Sequence, residues 1–260
     1  MVSQIHESDS RITHEPVVAL AAHDVRKSYR VGQHDVEILH GASLTVHTEQ
    51  MVAVMGPSGS GKSTLLYCLA GLEAPTQGRV MVAGQPLDQL SKADLARMRR
   101  TQVGFVFQSY NLIPTLTAAE NVELPYTLDR RKPSPGLVAE TLAKVGLSER
   151  VNARPPSMSG GEQQRVALAR VLAQQPPVIF ADEPTGALDT RTGELVLAEL
   201  VSIAHEPGRC VLVVTHDPKV AAACDRVVFM RDGLLVSELS HPDVSEVAAT
   251  LAHLTTAAEK

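Results

Sequence analysis

The 260-residue sequence predicts an α/β fold: a core of buried strands, an antiparallel β subdomain ahead of it, and an inserted helical subdomain. Three observations carry that prediction. Short apolar, β-branched runs at residues 51–55, 178–181 and 211–215 read as strands covered on both faces. The first of them stops at Gly56 and passes through a glycine-rich turn into a helical pattern. Between the first and second runs, residues 112 to about 161 change to helical spacing.

The elements follow in chain order. Residues 17–29 and 36–46 hold short apolar stretches broken by Gly32 and Gly41, the mark of antiparallel strands. Residues 62–71 place Leu65, Leu66 and Leu69 on one helical face. The helical segment, about 109–165, is interrupted by the Pro and Gly cluster of 132–136. Residues 226–230 and 234–238 flank Asp232-Gly233, the strongest short-range hairpin signal. Val244, Val247, Leu251 and Leu254 then give the tail, 239–260, a small amphipathic helix. Residues 1–16 are polar and are expected to be a flexible tail without the features of a signal peptide.

Composition narrows the class. Hydrophobic residues at 44% and charged residues at 20% are the balance of a soluble globular domain. A net charge of −5 provides no general attraction to nucleic acid, so no nucleic-acid partner is expected. Cys68, Cys210 and Cys224 cannot all pair and form no Cys-x-x-Cys, so they read as reduced thiols in a cytoplasmic protein. No apolar run approaches the roughly 18 residues that cross a bilayer. Work at a membrane would need another polypeptide to supply the spanning helices.

Gly56-Pro57-Ser58-Gly59-Ser60-Gly61-Lys62-Ser63-Thr64 fits the phosphate-loop (P-loop) pattern, two glycines five apart followed by Lys and Ser. The glycines let the backbone curl so that successive N–H groups converge on phosphate oxygens, and the helix that follows presents its positive end to the same anions. Lys62 is placed for the β- and γ-phosphates, and the Ser63 hydroxyl for Mg²⁺. The apolar run 178–181 ends in Asp182-Glu183. Alternation along a strand would send the two carboxylates to opposite faces, Asp182 to the Mg²⁺ shell and Glu183 to the attacking water. Ser159-Gly160-Gly161-Glu162 precedes a helical run and makes a second anion-binding helix start. One nucleotide has no use for two helix starts at its γ-phosphate, so each is expected to finish a site begun elsewhere.

Together these segments closely resemble the ABC ATPase family, over roughly residues 17–238. The P-loop, the signature at 159–162 and the strand-end carboxylates stand in the family's order. Gln108 matches the Q-loop glutamine, Gly186-Ala187-Leu188-Asp189 the D-loop, His216 the switch histidine, and Tyr29 the aromatic that stacks on adenine. Phe105-Val106-Phe107-Gln108-Ser109-Tyr110-Asn111-Leu112-Ile113-Pro114, Glu162 and Ala181-Asp182-Glu183-Pro184-Thr185-Gly186 are similar to the lipoprotein-release and macrolide-export branch. Two departures stand out: Met158 where Leu usually precedes the signature serine, and Ala187 where this branch often has Asn.

The resemblance implies a P-loop α/β core that hydrolyses ATP with Mg²⁺ held by Ser63, Asp182 and Gln108. It also implies a dimer of two copies around two ATP, with residues 159–162 acting in trans, Asp189 in the D-loop, and Glu183 and His216 catalytic. The expected partner is an integral-membrane permease docked beside Gln108, which would hold the protein on the inner face of the cytoplasmic membrane. A regulator of the same build, driving an extracytoplasmic or cell-wall enzyme without transport, remains an open alternative.

Overall fold

The computed structural model describes residues 17–186 and 188–256, so the tail expected at 1–16 and the D-loop residue Ala187 lie outside the described residues. In chain order the strands are β1 (Val18–Val31), β2 (His34–His47), β3 (Gln50–Met55), β4 (Gln77–Val82), β5 (Gln85–Pro86), β6 (Val103–Val106), β7 (Val178–Asp182), β8 (Cys210–Thr215), β9 (Arg226–Arg231) and β10 (Leu234–Ser240). The helices are α1 (Lys62–Leu69), α2 (Lys92–Thr101), α3 (Ala118–Leu128), α4 (Leu137–Lys144), α5 (Gly160–Gln174), α6 (Thr190–Ala204), α7 (Pro218–Ala222) and α8 (Val244–Thr256).

The strands form two sheets. An antiparallel sheet runs in the order β2-β1-β4-β5, and a second runs β10-β9-β3-β8-β7-β6. In the second, β3, β6, β7, β8 and β9 pair in parallel and β10 is the antiparallel edge. The two faces of this sheet feed two cores, as the period of two demands. Met51, Ala53 and Met55 of β3 join Ile179, Val211 and Phe229 in a cluster under α3 to α8. Val52 and Val54 join Phe180, Leu212 and Met230 in a cluster with α1 and the antiparallel sheet. Both faces are covered, which is why the strands carry continuous apolar runs.

The helical insertion consists of α3, α4 and the N-terminal part of α5. It has no sharp end at residue 165, because α5 continues to Gln174 and buries Val166, Leu168 and Val171 in the core. The helix stops where Gln175 takes a left-handed φ of 53° and Pro176-Pro177 follow. Met158 is buried in the same cluster, so the swap for Leu is accommodated by packing. The three cysteines are buried and free, and burial pushes their thiols up, Cys68 to about 11 and Cys210 to about 12. That leaves them inert as nucleophiles.

Candidate functional site

The P-loop leaves β3 at Gly56 and enters α1 at Gly61, whose φ of 100° is closed to most side chains. A Cβ on Gly56 would sit 2.0 Å from the Met230 carbonyl oxygen, so the loop begins pressed against β9. The hairpin joining β9 and β10 supports it from the same side. Asp232 and Gly233 have φ of 46° and 73°, the pattern of a type I′ turn. The Gly233 N–H donates to the Ser60 carbonyl at 3.0 Å, and the Gly233 carbonyl accepts from the His40 N–H at 3.0 Å. The Asp232-Gly233 turn thus ties the phosphate loop to the antiparallel subdomain.

Outside the loop is an open cleft of about 410 Å³ lined by Tyr29, Ile38, Gly59, Gly61, Lys62, Ser63 and Thr64. The Lys62 ammonium donates to the carbonyls of Gly56 and Pro57 at 2.8 and 2.9 Å, spanning the loop. Burial lowers its pKa, and the nearby Glu183 and Asp182 act to raise it again. Tyr29 closes the β-subdomain side of the cleft. Its phenol donates to the Glu73 carboxylate, and the Lys27 ammonium lies 4.9 Å from its ring centroid. Burial and then Glu73 push the Tyr29 hydroxyl up to about 12, so it stays protonated.

The carboxylates sit at the end of β7. Asp182 faces α1: the Ser63 Oγ is 3.4 Å from its Oδ1, and the Tyr67 hydroxyl is 3.2 Å from its Oδ2. Burial raises the Asp182 carboxyl above the ordinary value, and the Tyr67 bond opposes that rise. Glu183 is not a strand residue. β7 ends at Asp182 and Glu183 takes a left-handed φ of 47°, so a backbone turn, not strand alternation, separates the two carboxylates. That turn brings Glu183 to β8, where Thr215 Oγ1 donates to Oε2 at 3.3 Å and His216 Nδ1 lies 2.7 Å from Oε1. The Glu183 N–H donates to the Val214 carbonyl at 2.9 Å and locks the turn.

Gln108 is exposed just beyond β6, and a Cβ on Gly186 would stand 3.7 Å from its amide nitrogen and 3.6 Å from the Glu183 Cβ. The P-loop, Asp182, Glu183, His216 and Gln108 therefore gather at the ends of β3, β7, β8 and β6, where a parallel sheet places its ligands.

Residues 159–162 are bonded among themselves. Ser159 caps α5: its hydroxyl accepts from the Glu162 N–H at 3.2 Å, and the Glu162 carboxylate accepts from the Ser159 N–H at 2.8 Å. Arg150 holds the other Glu162 oxygen at 2.8 Å. These bonds, the Ser159 N–H first, depress the Glu162 pKa and keep it ionised. Glu162 is thus the acidic half of a capping box. Asp189 plays a similar part at α6, capping the Thr192 N–H at 3.0 Å.

Two contributors were not singled out from sequence. Tyr67 stands one helical turn after Ser63, a spacing that could have revealed it. The buried Gln164 donates to the Pro184 carbonyl at 2.8 Å and so links α5 to the turn after Glu183; no local pattern marks it.

A family model described as ABC transporter matches residues 39–186. A curated relative from Bacillus subtilis, "Uncharacterized ABC transporter ATP-binding protein YvrO", is 46% identical over 230 residues, 85% of this chain and 99% of its own length. The "Macrolide export ATP-binding/permease protein MacB" of Brucella melitensis is 44% identical over 234 residues; the match takes in 88% of this chain but 35% of that protein. Among solved structures, the ATP-binding cassette MJ0796 as a dimer in a post-hydrolysis state bound to ADP and Pi is similar at a TM-score of 0.80 and 40% identity, over 86% of this chain and 99% of that one. With the phosphate loop, paired carboxylates and capped signature helix in place, the chain belongs to the ABC transporter family as an ATP-hydrolysing, ATP-binding cassette.

Proposed function

We propose that this cassette works as a closed dimer with two ATP between the subunits and drives an integral-membrane permease from the inner face of the cytoplasmic membrane. The observation that carries the dimer is the separation of two anion-ready helix starts. The P-loop lies beside Asp182, Glu183 and His216, whereas the described hydrogen bonds of Ser159 and Glu162 stay within the cap or go to Arg150. The Ser159 start is thereby free to complete the site of a second copy. The MJ0796 cassette, a dimer in its solved form, supports the same arrangement.

Within each site Lys62 and the loop N–H groups would cradle the phosphates, and Tyr29 would face the adenine. Glu183, fixed by His216 and Thr215, would orient the attacking water. The donor set fits Mg²⁺: a Ser hydroxyl and a carboxylate 3.4 Å apart are hard oxygen ligands. Among the described residues no cluster of three or more His, Cys, Asp or Glu forms a protein cage. Mg²⁺ bound mainly through nucleotide phosphates, with Ser63, Asp182 and Gln108 beside it, matches that pattern and would neutralise charge developing on the γ-phosphate.

For the permease, a cleft of about 240 Å³ beside Gln108 is lined by Phe107, Leu124, Pro125, Leu128, Arg99 and Arg100. Leu128 is exposed at its rim. No helix of the described residues is long and apolar enough to cross a membrane.

Mixing two inactive variants tests the trans arrangement. Ser159→Arg blocks the signature and Glu183→Gln removes the water-orienting charge. A mixed dimer contains one site with both defects and one with neither, so mixing is expected to restore part of the ATPase activity. Absence of any recovery, in mixtures shown to contain mixed dimers by mass spectrometry, rules the arrangement out.

A further inference from the structure

Ser63 and Tyr67 are four residues apart on α1, which puts their side chains one above the other on a single face. Both hydroxyls converge on Asp182 but meet different oxygens, Ser63 at Oδ1 and Tyr67 at Oδ2. Two donors on two oxygens fix both the position and the plane of a carboxylate. Their surroundings differ. Ser63 is exposed and lines the nucleotide cleft. Tyr67 is half-buried, packs against the apolar cluster around α1, and does not line the cleft. A ring held by packing offers a hydroxyl with little freedom.

We propose that Tyr67 is a positioning residue for the divalent cation: by holding Asp182 Oδ2, it turns Oδ1 toward Ser63, where the cation bound to ATP is shared. This rests on the reading that Ser63 and Asp182 attend the Mg²⁺ of Mg-ATP. Tyr67 does not line the cleft, so it would act through Asp182 and not by contact with nucleotide or cation. Its contribution is the orientation of a half-buried carboxylate that would otherwise have other rotamers open to it. Removing the hydroxyl while keeping the ring leaves Oδ2 without that donor and should cost cation affinity but not nucleotide contacts.

The test is the metal enhancement of nucleotide binding, measured with the full chain, a fluorescent non-hydrolysable ATP analogue, and either Mn²⁺ or EDTA. Asp182→Asn is expected to abolish the enhancement. Tyr67→Phe is expected to reduce it about tenfold, a usual effect of losing an outer-shell partner, while affinity in EDTA stays at the wild-type value. Retention of the enhancement by Asp182→Asn overturns the underlying reading of the metal site. Loss in Asp182→Asn with a wild-type enhancement in Tyr67→Phe overturns the role of Tyr67 alone. Equal weakening of Tyr67→Phe with Mn²⁺ and with EDTA also overturns it, since a merely structural residue would behave that way.

Discussion

His216 Nδ1 lies 2.7 Å from Glu183 Oε1, joining the ends of β8 and β7 through side chains 33 residues apart. The contact holds the carboxylate that follows Asp182 in one orientation while His216 itself stays largely exposed. Glu183→Gln preserves shape, removes the charge and exchanges one acceptor oxygen for an NH2 donor. Its ATP turnover is expected to fall by about 10²-fold or more, with nucleotide affinity retained and ATP-dependent dimers now persistent. Phosphate release measured beside size-exclusion elution in ATP checks both halves. Near-normal turnover would remove Glu183 from the mechanism.

Tyr29 is engaged at both its ring and its hydroxyl. The phenol bond to Glu73 and the cation at 4.9 Å from the ring mean that the tyrosine is anchored before nucleotide arrives. Tyr29→Ala is expected to weaken ATP binding by about 1–2 kcal/mol, the scale of base–aromatic stacking. Tyr29→Phe keeps the stacking face but frees Glu73 toward Lys27, which stands 3.3 Å away, so its effect should be the smaller of the two. Nucleotide titrations of both variants decide it; equal losses would assign the role to the hydroxyl.

The glycines of the P-loop should not be equivalent. A methyl on Gly56 meets the Met230 backbone carbonyl at 2.0 Å, whereas a methyl on Gly59 meets nothing within 4 Å and bears only the strain of φ +81°. Gly56→Ala is expected to destabilise the fold by about 3 kcal/mol or more. Gly59→Ala should cost about 1–2 kcal/mol. Urea unfolding of the two variants provides the comparison, and equal midpoints would contradict this view of the loop.

A pH dependence of stability is expected from His205. Its Nε2 is 3.1 Å from both Asp225 oxygens and its Nδ1 is 2.9 Å from the Val201 carbonyl, so both ring nitrogens face acceptors. Only the imidazolium can donate to both. The Asp225 hydrogen bond is the main cause that raises the His205 pKa above its ordinary 6.5. A raised folded-state pKa means that the stabilisation is fully present below about pH 6.5 and is lost as pH rises through the folded value. The ring is half-exposed, so the effect should stay below about 1 kcal/mol. The difference in melting temperature between the wild type and His205→Gln should be largest in mildly acidic buffer and shrink toward pH 9. A constant difference would mean that His205 does not titrate in this window.

What could be read from the residues follows from the range over which each signal acts. The P-loop, the buried strand runs and Asp232-Gly233 are local patterns, set by backbone sterics and periodicity within a few residues, and the structure has a strand, turn and helix at each expected place. Glu183 was expected to point away from Asp182 by strand alternation, but the strand ends one residue earlier and a left-handed φ does the work instead. Glu162 was read for its place in a motif, and the structure adds its partner Arg150, twelve residues upstream. Gln164 acts through Pro184, a contact that exists only after the sheet has formed. Tyr67, though its spacing from Ser63 places it on the same helical face, meets Asp182 only through the same tertiary assembly.

The order β10-β9-β3-β8-β7-β6 also bears on how the chain is made. β3, which launches the phosphate loop, pairs along both edges with β8 and β9, more than 150 residues later. Gly56 rests on Met230, and Ser60 is held by Gly233. A ribosome that has just produced the loop has made its β2 neighbours, Ile38 and Leu39, but not the strands that flank β3 or the hairpin that holds Ser60. The nascent chain must carry an apolar strand with two open edges until the final quarter emerges, which makes the interval between β3 and β9 the stretch of synthesis most exposed to misassociation. A nucleotide can find its completed cradle only once that last hairpin has closed over the loop.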